Sequence, residues 1–235
     1  MTPEQMSTRA SRLWSSRWRR WLQSMPGQML ANTPAYGLAR EMVVRPEQRV
    51  LEIGCGAGSR LLLLDQRVRF TVSAAGIEPC RQLAGAAQRA YTTASRPASA
   101  IIADPGMLPF ADGVFDLALC IDLLRFLDVR GAQSVLREAA RVLRPGSLLL
   151  AWDIAPPSGK LAWWQRLWTR GSAGRLASTP SLLSLAERSG FNYARDARQR
   201  PFLWPPIPRA SFIAAVYPEG VVVRGDSSGG APAAS

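Results

Sequence analysis

Three carboxylates follow short apolar runs at intervals that suit the binding of a nucleotide-like ligand. Glu52 leads into the turn Gly54–Gly58, Glu78 ends a second run and Asp104 ends a third. Glycines between a strand and a helix allow close approach of the backbone to a ligand, and an acidic residue about 20 residues later suits both hydroxyls of a ribose. A carboxylate such as Asp104 can accept a hydrogen bond from an exocyclic amine such as that of adenine.

Two further carboxylates could contact a second substrate. Asp122 is the one acid in the apolar stretch 120–126, and Asp153 ends a later apolar run. The alternative for each is capping of a turn or an ion pair with a nearby arginine. The chain contains no histidine, which excludes an imidazole base and His-ligated metal, so we predict no metal site.

A mostly parallel α/β sheet would bring these carboxylates together, because ligands bind beyond the carboxyl ends of its strands. Five apolar runs are predicted to be strands, and a helix is predicted to open after the glycine turn, over 59–65. A second helix is predicted over 132–143 and closes at Arg144-Pro145-Gly146. The predicted strands cover 50–53, 74–78, 100–104, 114–120 and 147–152.

Over residues 40–217 the chain resembles the class I S-adenosylmethionine-dependent methyltransferases of the small-molecule type. The matching segments are Leu51-Glu52-Ile53-Gly54-Cys55-Gly56-Ala57-Gly58, Gly76-Ile77-Glu78, Ala103-Asp104 with Leu108-Pro109-Phe110, Phe115-Asp116, and 137–146. The resemblance implies a Rossmann-like, seven-stranded, mostly parallel sheet with helices on both faces and an antiparallel last strand.

The resemblance also implies how the cofactor S-adenosylmethionine would be bound. Glu52 and the glycine turn would hold its methionine moiety, Glu78 its ribose and Asp104 its adenine. The full set of cofactor-site candidates is Glu52, Gly54, Cys55, Gly56, Gly58, Glu78, Asp104 and Cys120. A dinucleotide is the competing ligand, but its G-x-G-x-x-G fingerprint would require glycine where Ser59 stands.

We expect methyl transfer by in-line displacement to a small, hydrophobic acceptor. Members of the family often carry a histidine about where Arg125 stands, so a base is not carried over to this chain. The weak catalytic candidates are Asp122, Arg125 and Asp153. The alternative is a non-catalytic binding or scaffold protein that keeps the nucleotide fold, and association with a membrane surface is compatible with it.

The net charge of +12 lies outside the expected cofactor half, since residues 50–154 hold 11 arginines and 10 acids. Residues 1–40 form the first predicted unit, an amphipathic helix that caps the domain, with tryptophans and arginines. It either packs on the domain, as a lid or otherwise, or lies on an anionic membrane. Nucleic acid is a less favoured partner, because the charge forms no recognisable binding module.

The remaining units are a methyltransferase domain over 41–220 and a disordered, Gly/Ser/Ala/Pro-rich tail over 221–235. Cys55, Cys80 and Cys120 lie in or beside apolar runs without C-x-x-C spacing, and we expect reduced, buried thiols in a cytoplasmic protein. The pattern identifies neither the acceptor nor the oligomeric state.

Overall fold

The computed structural model describes residues 43–169, 177–197 and 208–218, and these form a sheet flanked by helices. The strands are β1 (Val50–Ile53), β2 (Ala74–Ile77), β3 (Ala98–Ile101), β4 (Phe115–Ile121), β5 (Leu143–Ile154), β6 (Tyr193–Asp196) and β7 (Arg209–Ala215). The helices are α1 (Ser59–Val68), α2 (Arg81–Thr93), α3 (Val129–Val142), α4 (Ala162–Thr169) and α5 (Thr179–Glu187), with a 3-10 turn at Leu124–Phe126.

The seven strands form one sheet in the order β3-β2-β1-β4-β5-β7-β6. Strands β1 to β5 pair in parallel, whereas β7 runs antiparallel to both β5 and β6. The prediction of a seven-stranded, mostly parallel sheet with an antiparallel last strand is confirmed. The carboxyl ends of β1, β2, β4 and β5 therefore meet at one edge of the sheet, which we call the carboxyl edge; the opposite side is the amino edge.

Alternating residues of the central strands build a core on each face of the sheet. Ala118 and Cys120 of β4 join one apolar cluster with α3 and α5, while Leu117 and Leu119 join the other with α1 and α2. Side chains of a strand alternate between faces, so a strand buried on both sides is apolar throughout. Helices cover both faces of the sheet, as the sequence predicted.

Several predicted boundaries differ from the structure, and three of them have an evident physical reason. Helix α3 begins at Val129 because Asp128 caps it, its side chain accepting a hydrogen bond from Gly131 N at 2.7 Å. Strand β5 begins at Leu143, since this helix runs directly into a strand that pairs Leu143 with Phe115. Strand β3 ends at Ile101, because its partner β2 ends at the paired Ile77.

Several predictions fall partly or wholly outside the described residues. The predicted helix and cap over 1–40 and the predicted tail over 221–235 lie there, as do residues 170–176 and 198–207 of the predicted domain. The three cysteines are free and buried, as predicted. In the described ranges no helix is both long and apolar enough to cross a membrane.

Candidate functional site at the carboxyl edge

The turn after β1 is tied to the end of β2. Backbone N–H groups of Gly54 and Cys55 both donate to the Ile77 carbonyl, at 2.8 and 2.9 Å. Gly58 has a φ of 80°, and a Cβ there would lie 2.7 Å from the Tyr91 ring of α2. Glycine is therefore needed at this position for both its backbone conformation and its missing side chain.

Glu78 holds this turn from the neighbouring strand. Its buried carboxylate accepts hydrogen bonds from the backbone N–H groups of Gly56 and Cys80, each at 3.0 Å. Burial raises the pKa of Glu78, while the two N–H groups oppose that shift. The structure thus brings two of the predicted elements, the glycine turn and the ribose candidate, into direct contact.

Glu52 lies beneath the turn and is fully buried. Its Oε1 lies 3.4 Å from the Arg60 guanidinium, whereas Oε2 is buried without a hydrogen-bond partner in the described part of the chain. Burial raises the pKa of Glu52 to about 7, against the opposing charge of Arg60. A buried carboxylate oxygen without a partner costs free energy, so a ligand that donates to it would be stabilised.

The other cofactor candidates stand at or near the same edge. Asp104 lies three residues beyond β3, where its Oδ1 accepts from the Gly106 N–H at 2.8 Å. Cys55 and Cys120 are buried, and burial raises the pKa of both thiols. They are neutral at physiological pH and pack into the apolar clusters on the two faces of the sheet.

A chain of four ion pairs crosses the carboxyl edge away from Glu52. Arg60 donates from one nitrogen to Glu52 and from another to Asp122, the latter at 3.1 Å. Arg125 Nη1 contacts Asp122 at 3.0 Å and Asp153 at 3.1 Å. We call Glu52, Arg60, Asp122, Arg125 and Asp153 the edge network, and it unites all three catalytic candidates of the sequence.

The two aspartates of the edge network differ in environment. Asp153 is 3% exposed, and burial raises its pKa to about 6, although Arg125 opposes this. Asp122 is 26% exposed; burial acts on it too, but Arg125 and Arg60 outweigh it and hold its pKa below the usual value. Its backbone adopts a φ of 56°, a left-handed conformation that few residues other than Gly, Asn and Asp adopt.

Sequence reasoning missed three residues of this region. They are Arg60, Tyr91 and Arg209. The positive charge of Arg209 also helps to lower the pKa of Asp122. One signal was available for Arg60, because it is a cation in the first turn of α1, where the helix dipole disfavours positive charge. An arginine there indicates a carboxylate partner. Tyr91 and Arg209 have no comparable signal, since only the fold brings them to the edge.

The sequence comparisons identify a methyltransferase domain. Residues 50–146, somewhat less than half of the chain, match the family model described as a methyltransferase domain. The chain is 37% identical to an O-methyltransferase of Aspergillus sclerotiorum over 46% of its own length and 40% of the relative's. It is 35% identical to a demethylmenaquinone methyltransferase of Mycolicibacterium paratuberculosis over 50% of its length and 46% of the relative's. The chain thus spans less than half the length of these two curated relatives.

Solved structures share the fold at low sequence identity. The S-adenosylmethionine-dependent methyltransferase SibL superimposes with a TM-score of 0.66 at 16% identity, covering 89% of this chain and 62% of that one. The [4+2]-cyclase SpnF gives a TM-score of 0.63 at 18% identity, covering 78% and 80%. The glycine turn, the buried acid beneath it and the matched segment agree with the comparisons: residues 50–146 match a methyltransferase domain, and the fold is shared with S-adenosylmethionine-dependent methyltransferases of known structure.

Proposed function

We propose that this protein transfers a methyl group from S-adenosylmethionine to a small, hydrophobic acceptor by in-line displacement. The observation that carries the proposal is the direct link between the glycine turn and Glu78, with buried Glu52 beside them. In this assignment the unpartnered Oε2 of Glu52 accepts from the ammonium of the methionine moiety. Glu78 accepts from the ribose hydroxyls, and Asp104 accepts from the adenine amine.

An apolar wall beside the glycine turn supports the hydrophobic character of the acceptor. Leu123 packs so closely that a Cβ at Gly54 would lie 3.3 Å from it, and Leu124 and Leu127 are also buried there. Relatives with hydrophobic substrates agree: one is a demethylmenaquinone methyltransferase, and a geranyl diphosphate methyltransferase has the same fold with a TM-score of 0.56.

The work left to this chain's residues is binding and alignment. The bound cofactor supplies a methyl group that is already electrophilic. The buried turn and its apolar surroundings hold that group in place and keep water away from it. The protein must then present the acceptor's nucleophile on the side of the methyl group opposite to the sulfur, and the carboxyl ends of β4 and β5 are in position to do so.

Calorimetry with S-adenosylhomocysteine and S-adenosylmethionine tests the cofactor site. We expect both to bind the full-length protein, Asp104→Ala to weaken binding by about tenfold or more through a lost hydrogen bond to the adenine, and NAD not to bind. Transfer of radiolabelled methyl to an added acceptor then tests catalysis. No binding of either sulfur compound would refute the methyltransferase assignment.

A non-catalytic role is the alternative, and one comparison favours keeping it. SpnF has this fold and is described as a cyclase, so the architecture alone does not specify methyl transfer. Cofactor binding without transfer to any member of a broad acceptor panel would support this alternative. Release of S-adenosylhomocysteine on addition of an acceptor would exclude it.

A peripheral contact with an anionic membrane is a second, compatible proposal. Helix α4 exposes Trp163 and Leu167, at 67% and 59%, close to the cations Lys160 and Arg166. Exposed aromatic and aliphatic side chains next to cations suit the interface of a bilayer. We expect the full-length protein to float with phosphatidylserine vesicles and the Trp163→Ser/Leu167→Ser variant to float less. Equal flotation of the two proteins would refute this role for α4.

A further inference from the structure

The described carboxylates near the acceptor end of the site are poor candidates for a general base. Asp153 is buried, and its oxygens already accept from Arg125 N at 2.9 Å, from Arg125 Nη1 at 3.1 Å and from Ile154 N at 2.9 Å. Asp122 is bonded by two guanidinium groups, and the same two cations favour its ionised, weakly basic form. The chain has no histidine to take their place.

Arg125 carries a buried donor atom with unused bonding capacity beside the two aspartates. Its guanidinium lies over the Phe126 ring, with Cζ 4.7 Å from the ring centroid, and its Nη1 is shared by two aspartates. Its Nε is buried and has no hydrogen-bond acceptor among the described residues. A buried donor without an acceptor is costly, and in native proteins such groups occur where a ligand or a functional role explains them.

We infer that the acceptor's nucleophile is an oxygen already ionised at neutral pH, a carboxylate or an acidic phenolate or enolate, and that Arg125 Nε–H donates a hydrogen bond to it. The inference rests on the proposed methyl transfer. An electron pair of the oxyanion forms the new oxygen–carbon bond to the methyl group. The carbon–sulfur bond breaks with its pair going to sulfur, the sulfonium becomes a neutral thioether, and no proton is transferred.

The same geometry disfavours an amine as the acceptor. A neutral amine uses its lone pair for the attack and presents only N–H donors to its surroundings, and Arg125 Nε–H is itself a donor. An alcohol would have to lose its proton, and the two carboxylates at the acceptor end, Asp122 and Asp153, already accept hydrogen bonds from Arg125. An oxyanion both accepts from Arg125 and needs no base. The substrate class therefore follows from the arginine together with the absence of histidine.

The first test is binding of three bicyclic probes of nearly equal shape to the full-length protein saturated with S-adenosylhomocysteine. The probes are 1-naphthoate, 1-naphthylamine and 1-naphthalenemethanol, compared by calorimetry. We expect 1-naphthoate to bind about tenfold or more tightly than the other two, because a hydrogen bond to a charged group is lost with them. A preference for the amine or the alcohol, or no binding of 1-naphthoate, would overturn the inference.

Arg125→Lys separates the Nε–H from the positive charge, because lysine keeps a cation beside the two aspartates but has no group at the Nε position. We expect this variant to lose most of the preference for 1-naphthoate and to bind S-adenosylhomocysteine within threefold of wild type. Arg144→Lys at the amino edge is the matched control and should keep the full preference. An unchanged preference in Arg125→Lys would refute the role of Arg125.

Turnover provides the second test, with phenols of graded acidity and radiolabelled S-adenosylmethionine. We expect the pH at which the rate rises to follow the pKa of each phenol, since no protein base has to ionise first. A rise at one fixed pH for all the phenols would identify a base and overturn the inference. Failure of wild type to bind S-adenosylhomocysteine would instead refute the proposed function itself, and methylation of an amine would refute only the present inference.

Discussion

Each end of strand β4 carries an aspartate that pairs with an arginine, yet the two pairs differ in what surrounds them. At the amino edge, Asp116 accepts from the Arg49 N–H at 2.8 Å and pairs with Arg144, whose side chain is 45% exposed. At the carboxyl edge, Asp122 and Arg125 belong to the buried edge network, which retains polar atoms without partners.

The comparison separates a contact that maintains the sheet from a group available to a ligand. Asp116 joins the start of β4 to β5 and to the residue before β1, and its hydrogen bonds are complete within the protein. Asp122 and Arg125 lie where strands end and loops begin, and Asp122 adopts a left-handed backbone. Strained residues and unsatisfied buried groups cluster at functional sites, and these features therefore support the proposal that the carboxyl edge binds the ligands.

Arg125→Gln should have the largest effect on stability. It leaves Asp122 and buried Asp153 without their shared cation, and breaking a buried ion pair costs about 3–5 kcal/mol. Urea denaturation of the variant and wild type at pH 7 measures the difference. A loss below 1 kcal/mol would mean that the two edges are energetically alike.

Gly58→Ala should be the next most disruptive change. Gly58 and Gly146 share a φ of 80°, but a Cβ at Gly58 would meet the Tyr91 ring at 2.7 Å, whereas at Gly146 the nearest side-chain atom is 3.8 Å away. Gly146→Ala is the control. Both alanine variants incur backbone strain of about 1–2 kcal/mol, and only Gly58→Ala adds overpacking of about 1–3 kcal/mol. Melting of the two variants side by side, with S-adenosylhomocysteine titrations, checks the order. Equal losses of stability in the two variants would show that the contact between Gly58 and Tyr91 does not require glycine.

The charge on Glu52 should make stability depend on pH. Its pKa is about 7 in the folded protein against a usual 4.5, so between these values the folded state holds a proton that the unfolded state has released. The free energy of unfolding therefore falls as pH rises through this window, by about 3 kcal/mol from Glu52 alone. Asp153, with a folded pKa of about 6, acts in the same direction.

Glu52→Gln isolates the contribution of Glu52 to that slope. Urea denaturation at pH 5, 6, 7 and 8 should give a flatter profile for this variant than for wild type, because glutamine does not titrate. Parallel profiles for the two proteins would show that Glu52 ionises normally in the folded state.

Glu78→Ala should weaken S-adenosylhomocysteine binding by about 100-fold, since two hydrogen bonds from the ribose to a carboxylate would be lost. Glu78→Ala also removes the acceptor for the Gly56 and Cys80 N–H groups, and this loss could disturb the turn by itself. Glu78→Gln is therefore measured beside it. Glutamine keeps one acceptor oxygen and should bind at an intermediate strength. Calorimetry measures both, and unchanged affinity in Glu78→Ala would remove Glu78 from the cofactor site.

Arg144→Gln should have the smallest effect. Its pair with Asp116 lies partly in solvent, and exposed ion pairs contribute at most about 1 kcal/mol. We expect a loss of less than this amount, reduced further by salt, and unchanged binding of S-adenosylhomocysteine. A loss comparable to that of Arg125→Gln would mean that charge pairing at the amino edge also determines stability.

The sequence predicted the sheet well because its strong signals are local. Apolar runs that end in Glu52 and Glu78, together with the glycine turn, predict the central parallel strands that the structure contains. Boundaries failed where partners decide them, as at Ile101, where β3 ends because β2 does. The assigned roles of the cofactor residues and the units over 1–40 and 221–235 remain predictions.

The edge network could not be predicted, because its members lie far apart in the chain. Arg60 and Asp122 are 62 positions apart, and Arg125 and Asp153 are 28 apart. A pattern of residue types places each at the end of an element, yet only the packed sheet determines which guanidinium meets which carboxylate. The sequence therefore indicated Asp122, Arg125 and Asp153 as separate candidates, and the fold made them one group.

The left-handed backbone of Asp122 has a consequence for which substitutions the end of β4 can tolerate. Asparagine and glycine adopt that conformation at little cost, and a single nucleotide change in an aspartate codon produces either of them. The negative charge at the end of β4 can therefore be lost in one mutational step without disturbing the turn. Such a step would leave Arg60 paired with Glu52 alone, so it would change the charge at both the proposed acceptor end and the proposed cofactor end of the edge network.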